Sequence, residues 1–301
     1  SADLTIMEEG HEFLHRLTNG GVLPMITSCS PGWVNMIELK YPDLLPHLSS
    51  AKSPQQMFGA IAKTYYAEKA GIDPAKIVSV SVMPCTAKKA EAARPEMNAS
   101  GYRDVDVVIT TRELGRMIRE AGLDFKHLPE DSYDSPLGTG TGAAVIFGTT
   151  GGVMEAALRT VADVLTGENL QTVDYNDVRG MEQTREAELT IANTVKIAVV
   201  HTLASARKIL ERIRAGEADY QFIEVMACPG GCIGGGGQPI PVNAEIRRAR
   251  REGLFDCDSA NELRKSHENP EIKELYDTWL GKPLGEKAHS LLHTHYHQQT
   301  R

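Results

Sequence analysis

Apolar residues fall at two alternating periods along most of this chain. Phe13, Leu14 and Leu17 recur at helical spacing, and Thr5-Ile6-Met7-Glu8 has the form of a capping box, so the pattern predicts a helix over 5–18. A short strand at 22–27 leads into Ser30-Pro31-Gly32, where the chain must turn before a helix that starts at Val34. Residues 55–70 read as a helix, and 76–82, rich in β-branched side chains, as a buried strand ending at Pro84-Cys85. The alternation continues with a strand at 105–111, a helix at 112–121, a loop-rich stretch at 128–142 and a helix at 153–166. A strand at 195–201, a helix at 204–215 and a strand at 221–227 follow. Strands alternating with helices predict an α/β fold with largely parallel sheets and flanking helices. Ligands of such sheets collect beyond the carboxyl ends of the strands.

From 244 onward the pattern changes: Arg, Lys, Glu and His dominate, two helical patterns remain and no strand is evident. A boundary near 240 is expected, with a main domain over 1–240 and a helical extension over 241–301 that wraps the main body because it has too few apolar residues for a core of its own. Composition adds exclusions. The 301 residues are 41% hydrophobic and 24% charged, which is ordinary for a packed chain. A net charge of −8 with no long basic run argues against nucleic acid and anionic membranes as partners, and no apolar stretch has the length of a membrane span. The chain opens on Ser1 without an initiator Met and reads as a fragment or a processed chain, so a missing signal peptide leaves the compartment open, with the cytoplasm favoured over the periplasm.

Five cysteines, at 29, 85, 228, 232 and 257, do not suit a disulfide framework; metal or redox chemistry is the better reading. Cys29, Cys85 and Cys228 each follow a predicted strand, and Cys232 lies four residues past Cys228, so all four are expected at one sheet edge. The segment from Glu224 and Met226 through Cys228 and Cys232 to Pro239 has six glycines in the nine positions 229–237. Two thiolates on such a loop can approach a bulky inorganic cluster, because absent side chains let backbone N–H groups point at its sulfides. Zinc is the rival, although zinc ribbons use two close Cys pairs and the other thiols here are isolated. In Met83-Pro84-Cys85-Thr86-Ala87-Lys88-Lys89, ammonium groups three and four residues beyond a thiol would favour a thiolate and offset cluster charge. Taken alone, such lysines are more often a solvated helix start. Glu9, Glu12 and Arg16 share one helix face, and on spacing alone Glu12 and Arg16 read as a surface ion pair.

Together with Thr27-Ser28-Cys29-Ser30-Pro31-Gly32-Trp33, the two later cysteine segments closely resemble the three signature motifs of the catalytic domain of [FeFe]-hydrogenases. Flanking stretches at 5–9, 48–56, 106–114 and 147–156 are similar to the same domain, and the tail, through Arg264–Asn269 and Leu280–Pro283, resembles its small-subunit-type extension. The resemblance implies an oxidoreductase, an iron-only hydrogenase that reversibly reduces protons to dihydrogen at an H-cluster. That cofactor is a [4Fe–4S] cubane joined by a cysteine thiolate to a two-iron unit with CO, cyanide and azadithiolate ligands. Cys232 matches the bridging cysteine, and Cys85 and Cys228 match further cubane ligands. Lys88 matches the donor to an iron-bound cyanide, and Met83, Pro84, Met226 and Gln55 match residues around the two-iron unit. Glu12, Ser49, Glu9 and Cys29 match the proton relay, with Arg16 at its mouth.

The chain departs from the family at Ser30, which stands where a cubane cysteine is usual. Ser30 ligates as an alkoxide, or Cys29 shifts to ligate, or the cluster is labile there; a harder oxygen suits iron less well than thiolate. Cys257 matches no ligand position. The family's domain begins well before Thr5, usually behind electron-relaying iron–sulfur domains, and no ferredoxin-like C-x₂-C-x₂-C run occurs here. The resemblance therefore implies electrons from a ferredoxin-like donor or an additional iron–sulfur subunit, and maturation proteins to build the cluster. A sensory relative with a cluster but little turnover is the alternative; such relatives tend to lose the relay, and Cys29, Glu9 and Glu12 are present. A simple iron–sulfur or zinc protein is the third reading.

Overall fold

The computed structural model of the chain describes residues 1–191 and 193–300. In order, the elements of its first half are α1 (Ala2–Asn19), β1 (Met25–Ile26), α2 (Pro31–Lys40), α3 (Pro54–Ile61), α4 (Ala67–Ala70), β2 (Val80–Met83), α5 (Ala87–Ala92), β3 (Val107–Thr110) and α6 (Thr111–Glu120). The second half holds α7 (Gly142–Ile146), α8 (Gly152–Thr166), β4 (Thr184–Ile191), β5 (Asn193–His201), α9 (Leu203–Arg214), β6 (Phe222–Met226), α10 (Ala244–Ala260), α11 (Pro270–Leu275) and α12 (Glu286–Leu292). The fold is α/β with mostly parallel pairing: a four-stranded sheet in the order β1-β6-β5-β4 and a two-stranded parallel sheet of β2 and β3.

Strand alternation sets the two faces of the larger sheet. Met25, Ile197, Val199 and Phe222 face one core with Phe13 of α1 and Val161 of α8, where Phe13 and Phe222 stack with ring centroids 4.7 Å apart. Ile26, Ala198, Val200, Ile223 and Val225 face the other, filled by Trp33, Ile37, Ile209 and Leu210 of α2 and α9. A third core joins Leu4, Met57 and Ile61 to Leu275, Tyr276, Leu280 and Leu292, and so fastens the C-terminal extension to α1 and α3. A second fastening is electrostatic: Arg159 of α8, fully buried, donates to both carboxylate oxygens of Asp258 on α10 (2.7 and 2.8 Å) and to Glu155.

Several expectations need correction. The capping box at Thr5–Glu8 does not form, since the helix starts at Ala2 and Glu8 is a buried acceptor for the tail. The box that does form is Thr110 with Glu113, at the start of α6. The strand expected at 22–27 is only Met25–Ile26. Helix α2 begins at Pro31, where the ring costs no hydrogen bond because the first helical N–H has no partner in the helix. The strand expected over 76–82 as buried is confined to 80–83, with Val80 54% and Val82 42% exposed, because β2 and β3 have no further strand beside them among the described residues. Strand β4 was not expected at all; it pairs antiparallel with β5 and alternates exposed and half-buried positions at the sheet edge. Among the described residues the extension carries three α-helices, α10 to α12, rather than two.

Candidate active site

Three strands deliver the thiols. Cys29 follows β1, Cys85 follows β2 and Cys228 follows β6, each within three residues of the strand end, and the turn after Cys228 returns Cys232 to the same place. Cys29, Ser30, Cys85, Cys228 and Cys232 line one cavity of about 180 Å³, together with the apolar Met83, Met226 and Phe147 and the polar Gln55 and Lys88. Cys257 is exposed on α10, away from it. Pro84 does not line the cavity: its carbonyl accepts the Gly237 N–H at 2.9 Å and pins the glycine loop to the end of β2.

The glycines are required by close approach. Gly231 has φ +88, and a Cβ there would stand 2.8 Å from the Thr150 nitrogen. At Gly235 a Cβ would meet the Pro84 carbonyl oxygen at 2.1 Å. The loop is thereby wedged between β2 and the start of α8. Glu224 on β6, whose role no sequence pattern announces, fixes that helix start by accepting the Gly151 and Met154 N–H groups at 2.7 and 2.8 Å. His201, at the end of β5, also went unnoticed; its Nδ1 accepts the Gly230 N–H at 3.3 Å while Nε2 donates to the Met181 carbonyl at 3.1 Å.

Lys88 is buried, and its ammonium donates to the Cys29 carbonyl at 2.9 Å and to Glu91 at 3.0 and 3.1 Å. Glu91 also accepts from Ser53 and Gln55, both at 2.7 Å. The i,i+3 spacing of Lys88 and Glu91 was the signal that could have found this partner. Burial pushes the Cys232 thiol up to about 12 against the opposing pull of Lys88, and burial likewise raises Cys228. Ser30 caps α2 by position, and its Oγ accepts the Ala227 N–H at 3.3 Å, which ties the first cysteine segment to the third.

Behind Cys29 lies a file of acid groups. Glu9 is fully buried; Oε1 accepts the Ser28 N–H at 3.4 Å, and among the described residues nothing donates to Oε2. Burial first, then the charge of Glu12, push the Glu9 carboxyl up to about 8. Burial and the nearby Glu9 charge also hold the Cys29 thiol well above its ordinary range. Glu12 accepts from the Ser49 hydroxyl at 2.9 Å, from the Ser50 N–H at 3.0 Å and from Arg16 at 2.6 Å. The Glu12–Arg16 pair exists, yet it is mostly buried and faces a second chamber of about 380 Å³, so it is not a solvated surface pair. Arg16 and Ser49 thus both bond Glu12 at this chamber, and buried Glu9 lies close enough to feel the charge of Glu12 and to act on the Cys29 thiol.

The donor set selects the kind of group the cavity takes. Soft thiolates without carboxylate or imidazole ligands suit iron–sulfur chemistry over hard cations, and a buried cation at Lys88 suits an electron-rich inorganic ligand. Residues 1–236 match the iron-only hydrogenase large subunit, C-terminal domain. The chain belongs to the iron-only hydrogenase family. Residues 244–299 match the iron hydrogenase small subunit. The chain is 55% identical to the NADP-reducing hydrogenase subunit HndD of Solidesulfovibrio fructosivorans, over 100% of this chain and 53% of that protein. It is 47% identical to iron hydrogenase 1 of Clostridium pasteurianum, over 98% and 52% respectively. The chain spans about half the length of these two relatives. A variant of the [FeFe]-hydrogenase HydA1 from Chlamydomonas reinhardtii superposes with a TM-score of 0.86 at 47% identity, covering 99% of this chain and 82% of that one.

Proposed function

We propose that this chain is the catalytic part of a hydrogenase that holds an H-cluster and reversibly reduces protons to dihydrogen. The observation that carries the reading is the convergence of Cys85, Cys228 and Cys232, from two separate sheets, on one cavity with Lys88 and the proton file behind Cys29. Cys85 and Cys228 would ligate the cubane, Cys232 would bridge it to the two-iron unit, and Ser30 or Cys29 would stand at the fourth position. When bound, the cluster supplies redox-active iron with CO and cyanide ligands at which dihydrogen is made or split. The protein's own groups do the rest. Lys88 would donate toward a cyanide, Met83, Met226 and Gln55 would confine the ligands, and Glu91 holds the Lys88 ammonium in place.

Protons enter at the Arg16 and Glu12 chamber, pass by the Ser49 hydroxyl to Glu9, and leave from the Cys29 thiol. Two features suit that task. Glu9 carries its proton near neutral pH, which a relay donor needs, and the Ser49 hydroxyl, donating to Glu12, also stands close enough to Glu9 to ease its carboxylate. The assembled relay favours an enzyme over a sensory relative. Electrons would come from a ferredoxin-like donor or an iron–sulfur subunit, and maturation proteins would install the two-iron unit. The reading divides the chain into a catalytic domain over 1–240 and an extension over 241–301. No helix among the described residues is long and apolar enough to cross a membrane. The test is hydrogen evolution from a reduced dye by the matured chain: turnover supports the proposal, and its absence from protein with a full complement of iron overturns it.

A further inference from the structure

Glu8, next to the relay, belongs to a second set of buried polar groups. It is fully buried and takes three donors, all from the C-terminal extension: the Tyr276 hydroxyl, the Leu284 N–H at 2.9 Å and His293 Nε2 at 2.9 Å. His293 is buried as well, and its Nδ1 lies 2.8 Å from the Ser50 hydroxyl. With Nε2 donating to Glu8, Nδ1 is the ring atom that faces the Ser50 hydroxyl. The backbone repeats the connection. Lys52 N–H donates to Leu292 and Thr294 N–H to Ser50, both at 2.8 Å, with Ala51 and His293 bridged antiparallel.

Ser50 is in turn a donor to Glu12, giving its N–H to both carboxylate oxygens at 3.1 and 3.0 Å. Beyond His293 the chain runs across the mouth of the relay, so that Thr294, His295 and Tyr296 wall the chamber that Glu12 and Arg16 face. A main-domain carboxylate fully buried and satisfied, among the described residues, only by the tail has no reason to be polar unless the tail's position matters. An apolar pair would pack there at less cost, since an unpaired buried charge is expensive.

We propose that the C-terminal extension forms part of the proton inlet, with His293, anchored by Glu8, acting as a positioning residue that fixes Ser50 and through it Glu12. The inference rests on the relay reading above and gives the small-subunit-like extension a task in that site. The charged and titratable groups near Glu12 are Arg16 and Glu9 on α1 and, on the tail, His289, whose ring stacks on His293 at 4.8 Å, and His295, a wall of the same chamber.

His293→Ala in the matured full chain tests it. Expected are unchanged iron content and cluster spectrum, an unchanged KM for the electron donor, turnover lower by about tenfold, and a pH profile displaced by about half a unit. His293→Gln offers Glu8 a donor and Ser50 an acceptor, and should restore turnover to within about threefold, since positioning needs no titrating ring. Failure of Gln to rescue, or loss of iron in step with activity at an unmoved pH profile, overturns the proposal. If His293→Ala does not fold, Ser50→Ala should show the same displaced profile, and a parental profile there overturns it. In the cluster-free chain, Ser50→Ala or His293→Ala should also speed hydrogen exchange of the backbone amide at position 50 by about tenfold. That readout stands even if the parent chain makes no hydrogen, so the two proposals fail separately; unchanged exchange in both variants sinks this one.

Discussion

Replacing Glu9 by Gln isolates the most perturbed carboxyl of the relay. The side chain is fully buried with one long hydrogen bond, and burial together with Glu12 raises it from the ordinary 4.5 to about 8. Between those two values the folded chain holds a proton that the unfolded chain has released. Stability contributed by the neutral carboxyl is therefore fully present below pH 4.5 and is lost as pH rises through about 8. At 1.36 kcal/mol per pH unit the window is worth about 5 kcal/mol, a large share of the 5–15 kcal/mol that holds a typical domain together. Gln has the shape of the protonated acid, keeps an oxygen for Ser28 and does not titrate. Urea unfolding of the cluster-free chain at pH 5 and pH 8.5 should then show wild type losing several kcal/mol more than Glu9→Gln on the alkaline side. Parallel losses, within about 1 kcal/mol, would mean that Glu9 is already ionised at neutral pH and would refute both the raised value and its use as a proton carrier.

Three further outcomes are expected. Gly231→Ala, which sets a Cβ 2.8 Å from the Thr150 nitrogen at φ +88, should cost about 1–3 kcal/mol in urea unfolding and lower cluster iron, while Gly253→Ala on α10, with open space around it, should gain about 0.5–1 kcal/mol. Ser30→Cys should raise cubane iron without harming turnover; unchanged iron with lower activity would show that Ser30 is already a competent part of the site. Lys88→Met, which removes the ammonium from Cys29 and Glu91, should lower turnover by about 10- to 100-fold and shift the cyanide bands in the infrared, and an unshifted spectrum would show that Lys88 does not reach that ligand.

What the sequence disclosed and what it concealed divide along contact range. Strand β5, helix α9 and strand β6 were legible because their apolar period changes cleanly between Val195 and Met226. The segments of Cys29, Cys85, Lys88, Cys228 and Cys232 were legible through motifs, and the ends of β1, β2 and β6 do bring them to one cavity. Strand β4 was hidden by its edge position, where Arg185, Glu186 and Glu188 give up the apolar pattern of a core strand. Glu8 was misread because a capping box is a local rule, and its real partners lie 268 to 285 residues away. Arg159 buried against Asp258 was invisible for the same reason: no local periodicity announces a charge whose partner comes from a later helix.

The central claim is that the thiols of Cys85, Cys228 and Cys232 gather around one iron assembly carrying diatomic ligands. Infrared spectroscopy of the chain matured with the cluster-building proteins tests it most directly, because the ligands are the cofactor's own and absorb where protein does not, between roughly 1,800 and 2,100 cm⁻¹. Sharp CO and cyanide bands that disappear in Cys232→Ala are the predicted result. Bands absent from iron-replete protein, or bands that persist unchanged in Cys232→Ala, would contradict it.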